Sequence, residues 1–462
     1  MLDRFYTFWE RLRTSLWFVP VMMVLVGIAL AVALLQTDNT VLGLKAGAVW
    51  WLHSGRAEDA RELLSTLLTS VITMTSLVFS MTLVVLTLAA NQFGSRLIRI
   101  FMADRTTQSV LGVFMMTIVY CLLVLRAIAN TDGDRVPHLA VTAGTALALA
   151  SLFLLIAFIH NIGRSIKADT VVRRVAAELD DAIARLLPAG GDHDADEERE
   201  PEKLLPADFA HRAGAVCLER EGYIQAIEYE ELAELGQRFS AVVQVDIRAG
   251  DFVIAGAQAI RVWPADAATP EVLAGIDSAI LIGQSRTPVQ DIEFPIRHLV
   301  EVAVRALSPG INDPFTAMAV VDRLGAGLAR LMGRAFHPRV FRDSDGSVRV
   351  VAKAPVHGEL IDAAFHQIRQ AGARMPAVII RMLDTLARIG EFAKSPHQRK
   401  ALMRHARLVA EAGMAEDVQS ADREAIEQRF TAVCAILSQP HTSAFAVLRQ
   451  NHHWEETVGT RS

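Results

Sequence analysis

The sequence predicts an α-helical membrane domain of four transmembrane helices followed by a cytosolic α+β region, first a small β-domain and then a helical domain. Three observations predict this. Four long apolar runs lie before residue 161, and the rest of the chain is polar. Between residues 207 and 290, apolar and polar residues alternate and glycines mark turns, as short strands require. Beyond Pro295 the apolar spacing is helical, with prolines placed where helices begin. The bulk composition, 52% hydrophobic and 21% charged over 462 residues, is only slightly above a soluble average; it is the uneven distribution of the apolar residues that excludes a disordered chain, a collagen, a disulfide-stapled secreted module and a wholly soluble enzyme. A net charge of −5 leaves no basic surplus for nucleic acid. Cys121, Cys217 and Cys434 form no C-x-x-C pair, so neither a zinc site nor a disulfide framework is expected.

The membrane domain covers residues 1–163, with spans at about 16–35, 63–90, 109–129 and 138–160. Each reaches the roughly 20 residues a helix needs to cross a ~30 Å hydrocarbon core. The first run follows Arg4, Arg11 and Arg13 and contains Ala31-Val32-Ala33, as a signal peptide would. It is too long for a signal's apolar core, and three more spans follow. The second span exceeds the required length and should tilt or protrude. Arg126, the one Lys, Arg, Asp or Glu inside a run, is near enough to an end to snorkel. Arg4, Arg11, Arg13, Arg96, Arg99, Arg105, Arg164, Lys167, Arg173 and Arg174 fall on one side of the membrane, and Lys45, Arg56, Arg61 and Arg135 on the other. The basic side is cytoplasmic, which places both termini and the large polar remainder in the cytoplasm. Trp9 and Trp17 fit the inner interface, Trp50 and Trp51 the outer one.

Residues 164–187 continue as an amphipathic connecting helix with Val171, Val175, Leu179 and Ile183 on one face. A charged linker, 188–206, follows. In the β-rich domain, 207–290, Val243, Val245 and Ile247 alternate with Gln244, Asp246 and Arg248, which predicts a half-buried strand, with turns at Ala249-Gly250-Asp251 and Ala255-Gly256. In the mainly helical domain, 291–462, Pro295, Pro314 and Pro396 stand at expected first helical positions behind Phe294, Asp313 and Ser395. One hairpin, turning at Asp345-Gly346, interrupts the helices.

Two constellations could carry chemistry. On the second span, Asp59, Glu62, Thr66, Thr69, Thr73, Ser76, Ser80, Leu83, Thr87 and Ala90 recur at steps of three and four. Thr66, Thr73, Ser80 and Thr87 are spaced by seven, a period that keeps one seam facing a neighbour in a left-handed bundle. Copies of this helix about a symmetry axis would stack hydroxyl rings beneath an acidic mouth, a cation path. Alternatively, the hydroxyls pack against a neighbouring helix or bond back to their own backbone. Ser70, Thr75 and Thr82 lie off the stripe and dilute it. On the fourth span, Ala140, Gly144 and Ala148 form a small-xxx-small contact face. No span has an acid or a Lys at mid-depth, which weighs against ion-coupled active transport.

The second constellation runs from Arg286 to Thr316. Arg297, Glu301 and Arg305 form a charge ladder at four-residue spacing beside His298. Ser308-Pro309-Gly310 stops that helix, and Asn312 and Asp313 precede the next, whose free N–H groups could hold an anion if Asp313 does not cap them. Arg286, Asp291, Glu293, Arg297, His298, Glu301, Arg305, Asn312 and Asp313 are the candidate ligand or regulatory residues; the alternative is a structural turn with an ion-pair network. No catalytic residue and no metal ligand is assigned, and no cofactor follows from the sequence. Phosphate-loop, dinucleotide, zincin and nucleophile-elbow motifs are absent, and His452-His453 reads as a solvated tail.

These stretches resemble a bacterial predicted-membrane-protein family, domain-of-unknown-function family 2254. The resemblance is carried by SGRAEDARELLSTLLTS, by VFSMTLVVLTLAANQFGSRLIRIFMADRTTQSVLG, by GYIQAI, DIRAGDFV and GQSRTPVQDIEF, and above all by RALSPGINDPFTA. It implies four N-terminal spans and a soluble C-terminal region, and it brings no activity or catalytic residue. Ser95 and Ala249 stand where the family pattern suggests proline, both in loops. The leading functional expectation is a homo-oligomeric, channel-like membrane protein whose second span lines the axis and whose cytosolic region assembles or gates it. The alternative is a membrane-anchored binding or signalling module using Arg286–Thr316, and the third reading is a membrane-bound enzyme. The expected partners are the lipid bilayer, further copies of the chain, and a small ion or small-molecule ligand.

Overall fold

The computed structural model describes residues 17–41, 56–94, 98–102, 104–129, 136–165, 167–187, 204–334, 336, 340–353, 355–414 and 418–438. The expectations for Arg4, Trp9, Arg11, Arg13, Lys45, Trp50, Trp51, Ser95, Arg96, Arg135, the charged run of the linker and His452-His453 lie outside the described residues. The chain divides into two compact units, Leu2–Val171 and Val172–Ser462, each with its own apolar core.

Among the described residues of the first unit, four helices are long and apolar enough to cross a membrane: α1 (Phe18–Val41), α2 (Ala57–Phe93), α4 (Arg105–Ala129) and α5 (His138–Ser165), with a short α3 (Ile98–Met102) before α4. Each occupies the place of an expected span and extends beyond its apolar run. The 37 residues of α2 make a rod of roughly 55 Å at 1.5 Å per residue, well over the ~30 Å hydrocarbon core. The central helix is α4, which packs on α1, α2 and α5 and buries Val110, Phe114, Tyr120, Cys121 and Val124. Two glycines set its distance from α1, because a methyl group at Gly27 or Gly112 would collide with Met116 or Met23. Buried polar groups find partners across helices. The Tyr120 hydroxyl donates to the Ala140 carbonyl at 2.8 Å. The Asp38 carboxylate accepts from the Leu139 and Ala140 N–H groups at 3.3 and 3.1 Å, so one helix supplies the N-terminal cap of another.

Helix α6 (Ala168–Leu186) is the predicted amphipathic helix, and its apolar face is buried at Val171, Val175, Leu179 and Ile183. From Val172 on it packs as part of the second unit. Leu179 lies against Gly327, where a methyl group would stand 2.5 Å from its Cδ2. Asp180 pairs with Arg330, and Arg334 donates to the Leu187 carbonyl at 2.9 Å.

The rest of the second unit begins with α7 (Phe209–Arg212), β1 (Gly214–Cys217), β2 (Gly222–Ile227), α8 (Tyr229–Arg238), β3 (Val242–Val245), β4 (Phe252–Val253), β5 (Gln258–Trp263), α9 (Pro270–Ala279) and β6 (Ile280–Gly283). It continues with α10 (Glu293–Ala306), α11 (Pro314–Met332), β7 (Val340–Arg342), β8 (Val348–Ala352), α12 (His357–Gly372), α13 (Pro376–Gly390), α14 (Pro396–Ala412) and α15 (Ser420–Ser438). One sheet has the order β1-β5-β3-β8-β7, the other β4-β2-β6. All pairs are antiparallel except β3 with β8. The hairpin expected among the helices is β7–β8, and its second strand completes the sheet of the β-region by pairing beside β3.

Two local expectations are corrected. β3 is buried at all four positions rather than on one face: Gln244 is 7% exposed, because helix α8 packs on the strand; its Nε2 donates to Asp246 at 3.1 Å, while its Oε1 is buried without a hydrogen-bond partner. Pro295 is the third residue of α10, not the first, because the Asp291 carboxylate accepts the Glu293 N–H at 3.0 Å and starts the helix earlier. Pro314 and Pro396 do stand at first helical positions, behind Asp313 and Ser395, whose side chains accept from Thr316 and Gln398.

Candidate functional site

On α2, the predicted stripe is exposed along its length: Asp59, Glu62, Thr66, Thr69, Thr73, Ser76, Ser80, Leu83 and Thr87 all face out of the four-helix unit. The buried side of the same helix is Ala60, Leu64, Val71, Thr75, Val78, Val85 and Ala89. At 100° per residue the two sets lie on opposite sides of the helix. Exposed Ile72 and Phe79 border the stripe on one flank, and Leu77, Val84 and Leu88 on the other. Within the chain, then, the hydroxyls are not used to pack α2 on its neighbours. Several bond to their own helix instead: Thr69 donates to the Ser65 carbonyl, Thr73 to that of Thr69 and Thr87 to that of Leu83, each at 2.9 Å. Such a bond uses the hydroxyl proton and leaves oxygen lone pairs facing outward. At the helix start, Asp59 accepts the Arg56 N–H at 2.9 Å, so its carboxylate also serves as a cap. The other small-residue face is interior: Ala140, Gly144 and Ala148 are buried, and a methyl group at Gly144 would meet Leu64 Cδ2 at 3.0 Å and Tyr120 Cε1 at 3.4 Å.

In the second unit, the motifs GYIQAI, DIRAGDFV and GQSRTPVQDIEF converge on the start of α10. Gly250, at φ +93°, lies directly beneath Arg286 and Asp291, where a Cβ would be 2.5 Å from Nη2 of one and Oδ2 of the other. Only glycine fits that turn. Arg286 pairs with Asp291 at 2.6 Å and approaches Glu293 at 3.6 Å. Glu293 also receives Arg248 at 2.6 Å and Arg297 at 2.9 Å. Arg248 extends to Glu359 at 2.5 Å and Lys353 to Asp251 at 3.4 Å. Gln290 exchanges hydrogen bonds with the backbone of Ile227 at 2.9 and 3.1 Å, and Gln225 donates to the Ser285 carbonyl at 2.8 Å. Four cations, Arg248, Arg286, Arg297 and Lys353, thus meet four carboxylates, Asp251, Asp291, Glu293 and Glu359. The cluster neutralises itself and ties the β4 turn to α10 and α12. Burial pushes the Asp291 carboxyl up to about 6, against the pull of Arg286 and with the push of Glu293.

The remaining candidates in this segment lie elsewhere. Arg297 pairs back to Glu293 rather than on to Glu301, and Glu301 pairs with Arg305 at 3.6 Å, so the expected ladder splits into two pairs. His298 is buried against Phe294, with ring centroids 4.2 Å apart. Asn312, at φ +49°, and Asp313 stand beyond the other end of α10, whose 14 residues span roughly 20 Å. Asp313 caps α11 through Thr316, its Oδ1 accepting the N–H at 3.1 Å and its Oδ2 the hydroxyl at 2.5 Å, so the helix start is filled by its own side chain. Reading the sequence missed Arg248, Asp251, Lys353 and Glu359 as cluster members, since they lie up to 111 residues from their partners. The one local signal was the turn glycine, Gly250.

Among the described residues, four helices long and apolar enough to cross a membrane, followed by a unit of mixed sheets and helices, define a predicted membrane protein with four candidate spans. The chain belongs to the family described as predicted membrane protein, DUF2254, whose profile matches residues 13–388. It is similar to the uncharacterized protein Rv1290c of Mycobacterium tuberculosis strain H37Rv and to the uncharacterized protein Mb1321c of Mycobacterium bovis. Each is 30% identical over 454 residues, covering 96% of this chain and 85% of the relative. No solved structure matches it significantly.

Proposed function

We propose that the protein is a homo-oligomeric, channel-like protein of a bacterial inner membrane, with the hydroxyl stripe of α2 turned toward the oligomer axis and both termini cytoplasmic. The observation that carries this reading is the stripe's position: six hydroxyl residues in register, opposite the buried face of α2 and exposed on the single chain. A polar ridge between apolar flanks in a lipid-facing helix is best matched by the same ridge on another copy. Outward lone pairs of back-bonded hydroxyls suit a partly dehydrated cation, and Asp59 and Glu62 bring negative charge to one end. The orientation rests on the excess of Lys and Arg on the terminal side.

The test is purification into lipid nanodiscs for mass determination, together with cation flux in proteoliposomes. An oligomer that conducts, and whose flux is lost in the double variant Thr73→Leu/Ser80→Leu while its mass is kept, is the expected result. A monomer without flux overturns the proposal. One observation favours the second reading, a membrane-anchored binding module: Ile311 and Phe315 in the RALSPGINDPFTA segment are 42% and 77% exposed. Under that reading the α2 variant is harmless.

A further inference from the structure

Away from both sites, the packed pair α12 and α14 brings together three side chains that the sequence separates. Asp362 and His366 lie four residues apart on α12, hence on one face. His405 comes from α14. Its Nε2 is 2.5 Å from Asp362 Oδ1, and His366 Nε2 is 3.5 Å from the same oxygen. The three donor atoms all lie within 4.8 Å of one another. The two imidazole rings stand 4.7 Å apart. His405 is fully buried, whereas the side chains of Asp362 and His366 are 30% and 36% exposed. The cluster therefore has a closed inner wall and an open outer side.

We propose that Asp362, His366 and His405 form a binding site for a divalent transition-metal ion of the zinc class, with a fourth position open to water. Two imidazole nitrogens and one carboxylate oxygen are a common donor set for such ions. Bonds of 2.0–2.2 Å in a tetrahedron place donor atoms about 3.3 Å apart. The separations here bracket that value, so small side-chain rotations suffice. His405 Nδ1 is buried without a hydrogen-bond partner, so one nitrogen of this enclosed ring is used by no other group in the described chain.

The competitor is Arg404, which pairs with Asp362 and supplies the positive charge that an ion would bring. Its side chain is 52% exposed, so it can leave the carboxylate without entering a buried space. This gives the proposal a signature that a merely structural ion pair lacks: removing Arg404 should strengthen metal binding.

The experiment uses the purified full-length protein in detergent, stripped with chelator and titrated with Zn2+ and separately with Co2+. The expected result is one tight equivalent, a visible d–d band of four-coordinate Co2+, and a melting temperature raised by Zn2+. In His366→Ala, binding weakens by at least ~10-fold and the Co2+ band disappears, while the variant still melts cooperatively in chelator. In Arg404→Ala, Zn2+ binds more tightly than in the wild type. Wild-type binding no stronger than that of His366→Ala, or Arg404→Ala binding no tighter than the wild type, overturns the proposal.

Discussion

Asp291 shows how a single residue can oppose its own ion pair. It is 3% exposed and 2.6 Å from Arg286, yet its carboxyl is raised to about 6 because loss of water outweighs the guanidinium. A raised acid favours the protonated folded state, so the sign is the reverse of the usual carboxylate. Below about pH 4 the group is protonated in both folded and unfolded chains and costs nothing. Between about pH 4 and 6 the unfolded group ionises while the folded one keeps its proton, and the resulting cost grows to on the order of 3 kcal/mol and levels off above about 6. The wild type should therefore gain stability relative to Asp291→Asn as pH falls from roughly 6.5 to 4.5. Parallel melting-temperature profiles for the two proteins across that range would contradict this. Gly250 beneath the pair was recognisable in the sequence as a turn residue. The ion pair seated on it was not, because burial is a property of the folded neighbours and not of either residue.

At the scale of elements, the helix starts were legible where a side chain beside the proline does the capping. Asp313-Pro314 and Ser395-Pro396 are such cases, while Pro295 was misplaced because Asp291, four residues before it, accepts the Glu293 N–H and lets the helix start at Glu293. Asp313→Ala should cost about 1 kcal/mol in thermal or denaturant unfolding, with Asp313→Asn retaining most of the stability. The same substitution separates two views of the RALSPGINDPFTA segment. A cap affects stability alone, whereas a ligand site would lose function without loss of fold. Helix α2 teaches the complementary lesson. Its heptad hydroxyl seam was visible in the residues, but whether that seam lay inside the chain's own bundle depended on which face α4 and α5 cover.

For the whole molecule, the division between units does not coincide with the charged linker. Helix α6 precedes the linker, yet its apolar face packs on α11, with Leu179 against Gly327 and Asp180 against Arg330. A fragment of residues 172–462 should accordingly be soluble and melt cooperatively. A fragment of residues 204–462, cut within the linker, uncovers that face and should aggregate or melt lower. Equal behaviour of the two in size-exclusion chromatography and thermal melts would contradict this packing. The sequence placed the end of the membrane domain at 163, a connecting helix at 164–187 and a charged linker at 188–206 from composition, which reports solvation; the contact boundary, between Val171 and Val172, falls inside that connecting helix because it follows burial.

The sequence by itself determined the four apolar helices, the order of a β-region before a helical region, the caps at Ser395 and Asp313, and the family. Each of these depends on local period, length or composition, which neighbouring residues carry on their own. Only the tertiary structure decided that β8 completes the sheet beside β3, that the charged motifs close on one another around Asp291 and Glu293, that the α2 stripe faces outward, and that His405 meets Asp362 and His366. Those are contacts between residues tens to more than a hundred positions apart, and no period in the chain encodes such distances. They exist because burying apolar faces brings the elements that carry these side chains together.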